Sequence, residues 1–189
     1  MGTMCPFFCL WGRTASIFLF SGDSMKKNVR YLVNAAIIAA LYVTLTYMQN
    51  FLLPGTTSNA IQFRASEALC VLALFTPAAI PGLTIGCLLF NITSGATPLD
   101  FLVGSAASAL AAVGMYLTRK CTAKGYPLPA MLMPPLFNGL LVGWELDYLI
   151  GGGFWLNALY VAIGELAVLL SLGTALFYAL RKYQNRLFG

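Results

Sequence analysis

Five of the chain's six acidic residues, Glu67, Asp100, Glu145, Asp147 and Glu165, stand inside or at the ends of long apolar stretches. Carboxylates so placed can hold a cation, accept a pair of N–H donors, relay protons, or work as paired acid and base. A charged group near the centre of a membrane helix costs about 3 kcal/mol on insertion scales, so each needs a partner, water or a function. Glu165 lies about 11 residues into its stretch, roughly 16 Å at helical rise, close to a bilayer midplane. A substrate or coupling role is the favoured reading for it, against a carboxyl simply bonded to a neighbouring helix. Asn138 and Glu145 are seven residues apart and share one helical face, whereas Asp147, nine from Asn138, points about 180° away as a rim charge. Arg64 precedes Glu67 by three residues, a spacing that suits an ion pair at a helix start or joint contact with a ligand. Asn91 and Asn157 fit helix caps and interhelical bonds as well as ligand contacts.

Several chemistries are excluded or weakened. The chain has no His, which removes the commonest general base and the imidazole metal ligand. Cys5, Cys9, Cys70, Cys87 and Cys121 show no CxxC spacing, and Cys70 and Cys87 sit in apolar stretches as small hydrophobes; no disulfide and no metal site is expected. No G-x-x-x-x-G-K-[ST] loop is present, so ATP cannot power this chain through a P-loop of its own. An intramembrane enzyme using paired carboxylates stays conceivable but finds no nucleophile motif. Transport driven by a partner or an ion gradient fits better, with no cofactor bound by this chain.

The elements that must carry these groups follow from composition. The chain is 59% hydrophobic and 9% charged with mean hydropathy +0.80, more apolar surface than 189 residues could hide in one core. Apolar stretches run over 32–53, 65–80, 81–92, 98–117, 128–150 and 154–180, and none contains Lys or Arg. Backbone groups in lipid must be satisfied internally, which favours helices over alternating barrel strands. Thr76-Pro77-Ala78-Ala79-Ile80-Pro81-Gly82 splits 65–92, and charge decides that it is two short spans. With six crossings, Lys26, Lys27, Arg30, Arg119, Lys120, Lys124, Arg181, Lys182 and Arg186 all become cytoplasmic, in keeping with the positive-inside bias. The expectation is an all-α membrane protein, a six-transmembrane-helix bundle with both termini cytoplasmic and short second and third helices. Residues 25–189 form the membrane domain. Residues 1–24 have no basic leading region and no clear cleavage site, and are expected to be an extra N-terminal segment ahead of a natural start at Met25.

Small residues add a packing signal. Ala35, Ala36, Ala39 and Ala40 form two overlapping A-x-x-x-A pairs, and Gly104, Ser105, Ser108, Ala109, Ala112 and Gly114 line the fourth span; both patterns permit close helix approach.

The string Ile61-Gln62-Phe63-Arg64-Ala65-Ser66-Glu67-Ala68-Leu69, then Thr76 to Leu83, Gly86-Cys87 and Asn91, resembles the QueT family of queuosine-precursor transporters. Asp100 with Gly104-Ser105, Pro134 to Gly139, Val142 to Leu146 and Gly164-Glu165 resemble it too, so the likeness covers roughly 25–180. It implies a substrate-binding S component of an energy-coupling factor (ECF) importer in a prokaryotic plasma membrane. Such a subunit passes its cargo inward with the help of a transmembrane coupling protein and two ATPases, which use the ATP. Ala35, Ala36, Ala39 and Ala40 are the implied docking contact with that module, in either register.

The implied cargo is a 7-deazaguanine such as 7-aminomethyl-7-deazaguanine. Its guanine edge offers adjacent N–H donors to a carboxylate, and its aminomethyl group is cationic near neutral pH. The outer half carries five acidic residues against Arg64, a formal balance of −4, which attracts a cation. Candidate substrate contacts are Gln62, Arg64, Glu67, Asn91, Asp100, Asn138, Trp144, Glu145 and Glu165. Phe63, Phe90, Phe101, Trp144, Phe154 and Trp155 could wall a flat base, with Phe63 and Trp144 preferred for their polar neighbours. The loop from Pro54 to Gln62 would gate the pocket. An S component for another flat heterocycle and a solitary proton-coupled carrier using Glu165 are the alternatives.

Overall fold

The computed structural model describes the backbone of residues 25–53, 64–122 and 125–187, with side chains described for 28–53, 64–122 and 125–182. The extra segment 1–24, the proposed gate loop and the candidates Gln62 and Phe63 lie outside the described residues. Among the described residues there is no strand. The elements are α1 (Met25–Leu52), a 3₁₀ helix (Ala65–Leu74), α2 (Ala79–Thr93), α3 (Pro98–Thr118), the short α4 (Leu128–Met131), α5 (Met133–Ile150), α6 (Phe154–Val168), a π-helical turn (Leu169–Gly173) and α7 (Thr174–Leu187).

Three helical segments are long and apolar enough to cross a membrane, Asn28–Leu52, Pro98–Thr118 and Phe154–Lys182. The 3₁₀ helix and α2 are shorter apolar helices. The outer faces carry Leu32, Ile37, Leu102, Leu159 and Ile163, all exposed. Such a coat suits lipid.

Two cavities mark the ends of the bundle and give the direction of each segment. Asn50 from the end of α1, Arg64, Asn91, Asp100 and Ile150 line one cavity. Leu74, Phe75, Arg119, Pro127, Phe177 and Arg181 line the other. Chain direction therefore alternates: α1, α2 and α5 run toward the first cavity, while the 3₁₀ helix, α3 and the α6–α7 segment run away from it. The expected hairpin around Pro77 is present, turning the chain between Leu74 and Ala79.

The 3₁₀ helix is the axis of the bundle. It touches α1, α2, α3, α6, the π turn and α7, and every residue from Ser66 to Ala73 is buried. Ten residues are long for this form, whose roughly 2.0 Å rise spans about 20 Å where an α-helix would span about 15 Å. Its first amide, Ala65 N–H, donates to Gln49 Oε1 at 2.6 Å, so α1 caps it.

Close approach to the axis depends on small residues. A Cβ added at Gly82 would lie 2.8 Å from the Ala35 carbonyl oxygen, and one at Gly86 would lie 2.8 Å from Tyr42 Cβ. Thus Ala35 and Ala39 of α1 meet the Gly82/Gly86 face of α2 and are buried, whereas Ala36 and Ala40 are exposed. Of the two registers left open in the sequence, Ala35/Ala39 is used inside the molecule and Ala36/Ala40 faces outward. On the other side, a Cβ at Gly143 would come within 2.6 Å of Ala158 Cα, which fixes the α5–α6 contact.

Candidate functional site

The acidic residues gather around Arg64. This residue ends the loop into the 3₁₀ helix, and its guanidinium interacts by charge with Glu67 and Glu165 as well as with Asp100 and Glu145. Its Nε is buried with no hydrogen-bond partner. Arg64 lines the first cavity, of about 290 Å³, together with Asn50, Phe90, Asn91, Ser94 and Asp100. That volume is just below the roughly 300–1,000 Å³ of common ligand sites, room for a small bicyclic molecule.

Behind Arg64 lie two deep carboxylates. Glu67, 1% exposed, accepts from Tyr42 Oη at Oε1 (2.7 Å) and from Cys70 Sγ at Oε2 (3.2 Å). Both of its oxygens are therefore engaged by protein, and its first role is to tie α1 to the central helix. Glu165 on α6, 5% exposed, accepts from Asn138 Nδ2 of α5 at Oε1. Here the accounting is incomplete: Glu165 Oε2 and Asn138 Oδ1 are both buried without partners. Two acceptors left empty on side chains that bond each other in a buried place are costly, at about 1–3 kcal/mol each. They ask for something that carries two donors.

Glu145 extends the set. It is buried on α5, its Oε1 has no partner, and it faces the Asp100 carboxyl closely enough to interact by hydrogen bond and charge. Two carboxyl groups can bond only through a shared proton or a donor placed between them. Asp100 itself is fixed as the first-turn member of a capping box, its Oδ2 accepting from Thr97 N at 2.7 Å and Thr97 Oγ1 at 3.0 Å. Asn91 donates to the Asp100 carbonyl at 3.0 Å and so joins α2 to α3.

The remaining candidates are structural or point elsewhere. Asp147 Oδ1 accepts from Gly153 N at 3.0 Å, and Asn157 Nδ2 donates to the Gly151 carbonyl at 3.0 Å. Together they brace the α5–α6 turn, where Gly151, Gly152 and Gly153 all have positive φ. Trp144 is a correction: it is 50% exposed and stacks on Tyr148 on the outer side of α5, with ring centroids 6.1 Å apart. Neighbours in a helix point about 100° apart, so burying Glu145 turns Trp144 outward. Trp155 is also exposed, paired with Phe154. Phe90 does wall the cavity, held edge-on by Tyr47 at 5.2 Å.

Sequence reasoning missed Tyr42, Gln49 and Asn50. Each is a polar group on the C-terminal half of α1, toward the first cavity, and Tyr42 shares a face with Ala35 and Ala39. That alignment was the available signal.

A family model described as QueT transporter matches residues 32–182. The chain belongs to the QueT transporter family. A curated relative, the queuosine precursor transporter QueT of Lactococcus lactis subsp. cremoris (strain MG1363), is 43% identical over 81 residues, covering 42% of this chain and 46% of the relative. The match thus spans less than half the length of that relative. No solved structure matches. Membership of a transporter family, together with the long apolar helices, makes this a membrane protein.

Proposed function

We propose that this chain is the substrate-binding S component of an ATP-driven ECF importer that takes up a queuosine precursor, a 7-deazaguanine such as 7-aminomethyl-7-deazaguanine. The observation that carries the reading is the set of unpartnered buried atoms around Arg64: Glu165 Oε2, Asn138 Oδ1, Glu145 Oε1 and Arg64 Nε. Three are acceptors and one is a donor. A guanine edge offers adjacent N–H donors and a carbonyl acceptor, which is the complement of Glu165, Asn138 and Arg64. An aminomethyl cation would supply the donor that Glu145 and Asp100 lack between them. Phe90 gives the base an apolar wall.

In this reading the six segments are six membrane crossings, both termini are cytoplasmic, and the Asn50–Asp100 cavity opens outward in a multi-pass protein of the plasma membrane. Cargo enters there, and Arg64 swings aside from the carboxylates as the ligand takes its place. Release follows when an energy-coupling module, a transmembrane coupling protein with two ATPases, reorients the bundle. Ala36 and Ala40, exposed on α1, are the register left for that docking.

The test is mass spectrometry of small molecules retained after mild purification, combined with uptake by vesicles holding the chain with and without the coupling module. A retained 7-deazaguanine and uptake that requires both the module and ATP are expected. Uptake without the module that collapses with a protonophore would instead establish a solitary carrier.

A further inference from the structure

The second cavity, at the opposite end from the acidic site, is chemically its inverse. It measures about 290 Å³ and is lined by Arg119 from the end of α3, Arg181 from α7, Thr122, and an apolar wall of Leu74, Phe75 and Phe177. The two arginines are held in place. The Arg119 guanidinium lies 3.7 Å from the centre of the Tyr116 ring, and Arg181 Nη1 donates to the Gly125 carbonyl at 3.4 Å. Lys120 and Lys182, next to them in the chain, add to the positive charge of this end.

The level of the cavity is fixed by its walls. Arg119 follows the last residue of α3, and Arg181 falls within the last turns of the apolar Phe154–Lys182 segment, so the guanidiniums mark where apolar surface gives way to charge. We propose that this cavity is a binding site for the phosphate of an anionic membrane phospholipid. Paired guanidiniums suit the phosphate oxygens. The Leu74, Phe75 and Phe177 wall suits the glycerol and first acyl carbons, surface that a free phosphate ester would leave uncovered. Leu74 ends the central 3₁₀ helix whose other end carries Arg64 and Glu67, so an occupied site bears on the element that positions the acidic cluster.

The test is native mass spectrometry of the full chain ejected from nanodiscs of equal phosphatidylglycerol and phosphatidylcholine. We expect retained phosphatidylglycerol to exceed phosphatidylcholine by about 30-fold, the equivalent of roughly 1 kcal/mol per arginine. That preference should vanish in Arg119→Gln/Arg181→Gln and persist in Lys120→Gln/Lys182→Gln, which removes equal charge outside the cavity. Thr122→Asp, which places a negative charge at the cavity without burying it, should abolish it as well and serves if the double arginine variant does not fold. Equal retention of the two lipids overturns the proposal, as does equal loss in the lysine and arginine variants. Displacement of the lipid by millimolar inorganic phosphate would assign the site to free phosphate and also overturn it.

Discussion

Replacing Glu165 by Gln separates ligand binding from folding. Gln is isosteric, and its side-chain oxygen can still accept from Asn138 Nδ2 as Glu165 Oε1 does. The amide nitrogen then takes the place of Oε2, which has no partner in the protein. A donor thus replaces an acceptor opposite the ligand's own N–H groups. Loss of a hydrogen bond to a charged acceptor costs about 1.5–3 kcal/mol, or about 10- to 100-fold in affinity at 1.4 kcal/mol per decade. The protein keeps the Asn138 bond and loses only the attraction between Glu165 and Arg64, which Glu67 also supplies, so its unfolding free energy should change by less than its binding free energy. Calorimetric titration of purified protein with 7-aminomethyl-7-deazaguanine, alongside a thermal unfolding scan, reads both quantities. Affinity within twofold of the parent would refute the assignment of Oε2 to the ligand. A loss of unfolding free energy as large as the loss of binding free energy would show that Glu165 serves the fold instead.

Other substitutions probe the parts around it. Tyr42→Phe removes the hydroxyl that donates to Glu67 Oε1 and should destabilise the protein by about 1–3 kcal/mol, seen as a lower unfolding midpoint. Gly86→Ala puts a methyl 2.8 Å from Tyr42 Cβ; overpacking of about 1–3 kcal/mol should lower the midpoint, whereas Ala36→Leu, on the exposed side of α1, should not. Trp144→Ala should leave ligand affinity within twofold, because the indole stacks on Tyr148 away from the cavity. Ala36→Leu/Ala40→Leu should leave ligand binding intact while preventing copurification with the coupling module.

The sequence by itself determined the helical class and the places where the chain turns. Uninterrupted apolar runs leave the backbone no partner but itself; Pro77 and Gly151–Gly153 interrupt it between helices, while Pro81, which lacks a donor, is accommodated in the first turn of α2. It also picked out Glu67, Asn138, Glu145 and Glu165, because a polar group in an apolar run is costly wherever the fold puts it. Only tertiary structure decided which atoms of those groups are spent on the protein. Glu67 is satisfied by Tyr42, 25 residues away, while Glu165 Oε2 is left open. Ala35/Ala39 and Ala36/Ala40 are equivalent as spacing, and only the glycine face of α2 distinguishes them. The same holds for the central segment. Ala65–Leu74 is rich in residues that favour an α-helix, yet it is drawn out into a 3₁₀ helix between neighbours on all sides. Local propensity is worth tenths of a kcal/mol per residue, and the packing around a fully enclosed segment outweighs it.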